Sequence, residues 1–162
     1  FGVLVSHGSS TVPGYIVEEI NALGGNIQNA HGISIEELKA AIPCGIGKIN
    51  VDTDIRLAVT RNMKEYFAQH PEKRNSPSIG GVYQLLEEKR EQFDPRAFLP
   101  PIMDTVMYGM VPDKDRAELV EVIEKGVKEA IGTLIVEFGS YGKAPLVEQV
   151  SLEEMAERYK RM

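Results

Sequence analysis

Only two stretches of this 162-residue chain read as β-strands, and the sequence places no third one beside them. Residues 1–6 (FGVLVS) form a short apolar run that stops abruptly at His7-Gly8-Ser9-Ser10. A run of that kind, bounded by Gly and Ser, fits a strand buried on both faces. Residues 48–54 (KINVDTD) form a second short run with a polar C-terminal end. Helical patterns separate and follow the two, and that alternation implies parallel strands covered by helices. Two strands alone do not make an independent core. The pattern therefore predicts further strands from outside this chain. A complete (β/α)8 barrel takes roughly 250 residues and at least about 200, so the chain is too short to be one. Residue 1 is Phe, and residues 2–5 already read as strand interior, so the expectation is a trimmed or partial chain.

The helical patterns are clear. Residues 12–23 carry apolar side chains at Val12, Ile16, Ile20 and Leu23, and Gly24-Gly25 ends the helix. Ser34 with Glu37 has capping-box spacing ahead of the Ile35, Leu38 and Ile42 stripe. Residues 55–69 form a third helix closed by His70-Pro71, and residues 82–92 a short charged one. Asp94-Pro95 looks like an N-cap and a first-turn proline, so a helix is expected over residues 96–110, broken near Pro100-Pro101. Residues 113–136 are amphipathic through Leu119, Val122, Ile123, Val127 and Ile131. Ser151 with Glu154 opens a terminal helix over residues 151–161. Cys44, between Pro43 and Gly45, is expected to be buried filler.

Composition narrows the function classes. The net charge of −6 argues against a free-standing nucleic-acid-binding domain, which neutralises phosphates with a basic surface. No apolar run approaches the ~20 residues of a membrane span. Cys44 is the only cysteine, so no intrachain disulfide forms, and a single thiol fits a reducing, cytoplasmic compartment.

Binding groups in parallel α/β folds gather at the C-terminal ends of strands, and both strand ends here are unusually polar. Gly8, Ser9 and Ser10 are small enough to present backbone N–H groups and hydroxyls to an anion. In an extended strand Asn50, Asp52 and Asp54 would share one face. Burying such a row is costly unless a partner or polar ligand satisfies it. The two ends are about 40 residues apart, one βα step, which would put His7 and Asn50 on one pocket. Each motif also has an ordinary reading. His7 can be a plain hydrogen-bonded histidine, HGSS a tight turn, and Asp54 a helix cap. His31 and His70 lack supporting partners and read as surface residues, and residues 87–91 as a solvated charged face.

The motifs HGSSTVP, GGNIQNAHGISIEELKAAIPCGIGKINVDTDIRLA, FDPRAFL, FGSYGKA and VSLEEMAERY occur in that order. This succession closely resembles the C-terminal half of class II, metal-dependent fructose-1,6-bisphosphate aldolases. The resemblance implies an α/β fold in which residues 1–162 are the last two βα units and C-terminal helices of a TIM (β/α)8 barrel. It implies that His7 is one of three zinc ligands, that a monovalent cation can accompany the zinc, and that the remaining ligands and the catalytic base lie upstream. Gly8, Ser9 and Ser10 match the turn that holds the dihydroxyacetone phosphate end of the substrate. Asn50, Asp52 and Thr53 match residues that hold the substrate hydroxyls and the same phosphate. Arg56 matches a phosphate-binding arginine. Arg96 matches one that reaches a neighbouring subunit, which implies a homodimer or larger homo-oligomer. Residues 74–92 look like a surface insertion relative to the family, and a second insertion falls within residues 107–129. The NVDTD sequence favours fructose bisphosphate over tagatose bisphosphate. A truncated, non-catalytic phosphate-binding subunit is the competing reading, and the chain alone is expected to be inactive and poorly stable.

Overall fold

The computed structural model describes residues 4–146 and 150–161. Strand β1 (Leu4–Ser6) leads to helix α1 (Gly14–Ala22), helix α2 (Ile35–Ala41) and strand β2 (Ile46–Ile49). Helices α3 (Thr53–Gln69), α4 (Gly80–Glu88), α5 (Met103–Tyr108), α6 (Lys114–Glu137) and α7 (Leu152–Lys160) follow. The two strands pair in parallel, with Leu4 opposite Ile46 and Ser6 opposite Ile49. The expected run at residues 1–3 lies outside the described residues.

Three helices start at side-chain caps. Ser34 Oγ accepts from Glu37 N at 3.2 Å while Glu37 Oε2 accepts from Ser34 N at 3.0 Å, a closed capping box. Asp113 accepts from Arg116 N at 3.0 Å to start α6, and Ser151 from Glu154 N at 3.1 Å to start α7. Four expectations are corrected. The second strand ends at Ile49, because the chain turns there into α3, and Asn50, Asp52 and Asp54 share no strand face. The helix expected over residues 96–110 is two 3-10 turns, Pro95–Ala97 and Pro100–Ile102, followed by the short α5. Prolines 100 and 101 lack the N–H groups that a continuous helix needs there. Helix α1 starts at Gly14 and not at Val12, whose φ of +49° is left-handed. Cys44 is exposed.

Helix α3 is the spine. One side carries Val59, Met63 and Phe67 into a core with Ile79, Val82, Leu86, Phe98, Ile102 and Leu119. Its other side packs Leu57 and Ala58 against Ile16, Ile20 and Ile27. Residues 79, 82 and 86 of the stretch expected as a surface insertion are thus core residues. By contrast, Leu4 is 57% and Val5 46% exposed, so a strand patterned for double burial is only partly covered by the described residues. Hydrogen exchange on the isolated chain should therefore find the β1 and β2 amides least protected and those in the middle of α3 most protected. Equal protection of the two would contradict this packing order.

An ion cluster ties the Pro71–Asn75 turn to α6. Lys73 Nζ lies 2.6 Å from Asp115 and 3.1 Å from Glu118. Ser76 Oγ donates to Asp115 at 2.6 Å and Tyr66 OH to Glu118 at 2.9 Å. Hydrogen bonds from Lys73 first, then from Ser76 and Tyr66, hold both carboxyls below the usual carboxylate range. A lowered carboxyl pKa makes the unfolded state bind more protons, so its stabilisation is present above the ordinary carboxyl pKa and lost as pH falls through the folded value. Urea unfolding should accordingly show stability falling as pH drops below that range, and Lys73→Met should flatten the decline. An unchanged slope in Lys73→Met would rule this cluster out as its source.

Candidate active site

Two loops meet at the ends of β1 and β2. The first, residues 7–11, leaves β1; the second, residues 50–53, joins β2 to α3. Asn50 Nδ2 lies 2.9 Å from His7 Nδ1, and the amide N–H donates to that ring nitrogen. Lys48 Nζ donates to Asn50 Oδ1, which fixes the amide's orientation. Ser10 Oγ accepts from the backbone N–H groups of both Asp52 and Thr53, at 3.1 and 3.0 Å, at the mouth of α3. The pairing of the two strand ends expected from spacing is therefore present as direct contact.

Among the described residues, no group accepts from the N–H groups of Gly8, Ser9 and Ser10. Gly8 has a φ of +65°, a turn conformation that costs glycine little and other residues more. Successive backbone donors in such a turn, beside the N-terminus of a 17-residue helix, form a concavity suited to an anion. The buried Ser9 exchanges a hydroxyl hydrogen bond with Ser6, which fixes the turn to the strand.

Two arginines converge on Asp94, and one of them also holds Asp52. Arg56, half-buried in the first turns of α3, binds Asp52 with Nε and Nη2 and reaches Asp94 Oδ2 with Nη1 at 2.8 Å. Arg96 donates to the same Asp94 carboxylate through Nε at 3.0 Å, and its own side chain is 71% exposed. The hydrogen bond from Arg96, backed by Arg56, holds the Asp94 carboxyl below the usual carboxylate range. Thr60, buried one turn further along α3, donates to Phe93 O at 2.8 Å and so sets Asp94 beside Arg56. Thr60→Val should remove that tie and lower stability by about 1 kcal/mol in denaturant titrations. An unchanged midpoint would argue against it.

Asp94 and Thr60 were missed by sequence reasoning as parts of this cluster. The DPR tripeptide pointed to Asp94 only as a cap, which it also is: it accepts from Arg96 N at 3.0 Å. Asp54, considered as a helix cap, instead accepts from Thr11 and belongs to the site's framework. No local signal marks a partner 43 residues distant.

The family description "Fructose-bisphosphate aldolase class-II" matches residues 2–143. The chain belongs to this family. A fructose-bisphosphate aldolase of Xanthobacter flavus is 33% identical over 96% of this chain and 33% of its own length. One from Giardia intestinalis is 34% identical over 97% of this chain and 36% of its own. One from Thermus caldophilus is 40% identical over 64% of this chain and 28% of its own. The aldolase-family chain described here thus spans about a third of the length of relatives such as the Xanthobacter protein.

Class II aldolases are generally metal-dependent. A catalytic zinc takes three protein ligands. Among the described residues no group of three or more His, Cys, Asp or Glu side chains could hold a metal. The exposed imidazole of His7 is the residue type that one ligand position of such a site takes, and its Nδ1 lone pair here accepts from the Asn50 amide. This part of the aldolase family fold does not make a metal centre by itself. No helix among the described residues is long and apolar enough to cross a membrane.

Proposed function

We propose that this chain works within a longer protein, as the C-terminal part of a TIM-barrel fructose-1,6-bisphosphate aldolase. In that protein β1 and β2 are two neighbouring strands of the barrel. The reaction is reversible cleavage of the C3–C4 bond to dihydroxyacetone phosphate and glyceraldehyde 3-phosphate. The observation that carries the reading is the join between the two loops. Ser10 bridges to the N-terminus of α3 while His7 meets Asn50, which brings free N–H donors, hydroxyls and an imidazole together at the two strand ends, with Arg56 tied to Asp52 beside them.

Each residue then has a role. The N–H groups of Gly8, Ser9 and Ser10, with the Thr53 hydroxyl, receive the phosphate on the dihydroxyacetone side. Arg56 adds a permanent positive charge with N–H donors not spent on Asp52 and Asp94. Asn50 donates to and accepts from the substrate hydroxyls, and Asp52 accepts from them. Holding the phosphate fixes the bond to be broken relative to the proton-removing base, which this reading assigns to residues outside the chain. Arg96, exposed and held only through Asp94, is free to extend to a second subunit's substrate, making the working unit a homodimer or larger.

His7 supplies one zinc ligand, and the others come from outside this chain. Bound zinc would act as a Lewis acid on the ketose carbonyl and stabilise the charge left as the bond breaks. A monovalent cation near the phosphate is compatible with the same pocket. The family relationship supports a place in carbohydrate metabolism, and the lone thiol supports the cytoplasm.

Parallel assays of the longer protein on fructose and tagatose 1,6-bisphosphates test the substrate. Higher kcat/KM on fructose 1,6-bisphosphate is expected, and a preference for tagatose would move the protein to the sister specificity. Phosphate binding without cleavage of either sugar would favour the non-catalytic reading.

A further inference from the structure

We infer that Asp54 is a positioning residue for the phosphate-binding turn and acts through Thr11; the assignment rests on the functional reading above. The carboxylate is 3% exposed, yet it pairs with no lysine or arginine among the described residues. It spends itself on one residue. Both oxygens accept from Thr11 N, at 3.1 and 3.0 Å, and Oδ1 accepts from the Thr11 hydroxyl as well. A buried charge is expensive unless hydrogen-bonded, and the N-terminal end of α3 also favours it. From the first turn of α3 Asp54 holds a segment 43 residues away.

Two further observations place the same segment under constraint. Val12, next to Thr11, has a φ of +49°, a left-handed conformation that a β-branched side chain avoids. Such strain persists only where surrounding contacts over-determine it. From the other side, Gly32 lies so close that a Cβ there would sit 2.3 Å from Thr11 O and 2.4 Å from Ser10 O. Ile33 N donates to Ser10 O at 3.2 Å. Residues 10–12 are thus gripped between Asp54 on α3 and the 32–33 backbone. The consequence falls on Ser10, whose hydroxyl must meet two α3 N–H groups, and on the donors at residues 8–10. Asp54 need touch no substrate to decide where those donors point.

The test uses the longer protein and two probes. Inorganic phosphate binding is measured by calorimetry, and KM and kcat are measured on fructose 1,6-bisphosphate, with thermal stability alongside. Asp54→Asn keeps the volume and one acceptor but removes the charge-assisted pair of bonds. It should weaken phosphate binding about tenfold and raise KM by a similar factor, with a smaller change in kcat. Thr11→Val keeps the backbone bond and loses only the hydroxyl, so about threefold is expected. Should Asp54→Asn fail to fold, Thr11→Val decides alone. A merely structural Asp54 would lower the melting temperature and leave the phosphate affinity of the folded protein within about twofold, and that result overturns the assignment. Wild-type protein that binds phosphate with this mutational pattern but cleaves no ketose bisphosphate would instead sink the functional reading and leave Asp54 in place. Wild-type protein that binds no phosphate would overturn both.

Discussion

His7→Ala is expected to strip bound zinc from the longer protein and to lower kcat/KM for fructose 1,6-bisphosphate by about three orders of magnitude or more. Removing one of three ligands leaves a site that no longer matches the coordination zinc prefers. The charge that the metal would stabilise in the transition state is then met by hydrogen bonds alone, and three orders of magnitude correspond to about 4 kcal/mol. The side chain is exposed and contacts Asn50 as its polar partner, so the substitution removes little packing and the fold should survive. Metal analysis and steady-state kinetics on the same preparation separate the possibilities. Full zinc content with full activity would end the assignment of His7 as a ligand. Full zinc content with lost activity would move His7 from the metal to the substrate.

The largest effect on stability is expected at Gly126, where α6 crosses α3. A Cβ at this position would lie 2.8 Å from Val59 Cα, 2.9 Å from Val59 N and 3.0 Å from Ala58 C. Those are backbone atoms of the central helix, which cannot step aside as a side-chain tip can. Val59 and Ala58 also face the two halves of the core, so any displacement of α3 disturbs both. Gly126→Val should therefore destabilise the fold by about 3 kcal/mol. Gly132, two turns on in the same helix, meets nothing within 4 Å. There Gly132→Ala should stabilise by up to about 1 kcal/mol, because only helix propensity changes. Denaturant titrations of the two variants should thus shift in opposite directions. A Gly126→Val protein as stable as the parent would mean that the helices do not cross this closely.

The sequence made the helices and the two-loop pairing legible, for different reasons. Ser34, Asp113 and Ser151 cap their own helices within a few residues, so their roles are written locally. His7 and Asn50 could be paired because parallel strand ends lie on one side of a sheet, and the contact between them bears that out. The second strand was drawn too long because Val51 and the polar residues around it alternate like a strand. The strand ends at Ile49 opposite Ser6, where β1 also ends, and the Ser10 hydroxyl then takes the N–H groups of Asp52 and Thr53, a tertiary fact. Asp54 illustrates the same limit. A helix-start aspartate reads as a cap in every local pattern, and only the folded chain brings Thr11 to it. Leu4 and Val5 carry a pattern for a two-sided sheet that the described residues do not complete, as a partial sheet requires. Burial was misjudged elsewhere: Ile79, Val82 and Leu86 come from a stretch that turn residues and the family resemblance put at the surface.

The central proposal is that the loop pair headed by His7 and Asn50 belongs to a metal-dependent aldolase site. The most direct measurement is a coupled assay of triose phosphate release from fructose 1,6-bisphosphate by the longer natural protein, with and without a zinc chelator. Cleavage that the chelator abolishes and added zinc restores is the predicted result. No cleavage by the zinc-loaded protein, or cleavage indifferent to the chelator, would contradict it.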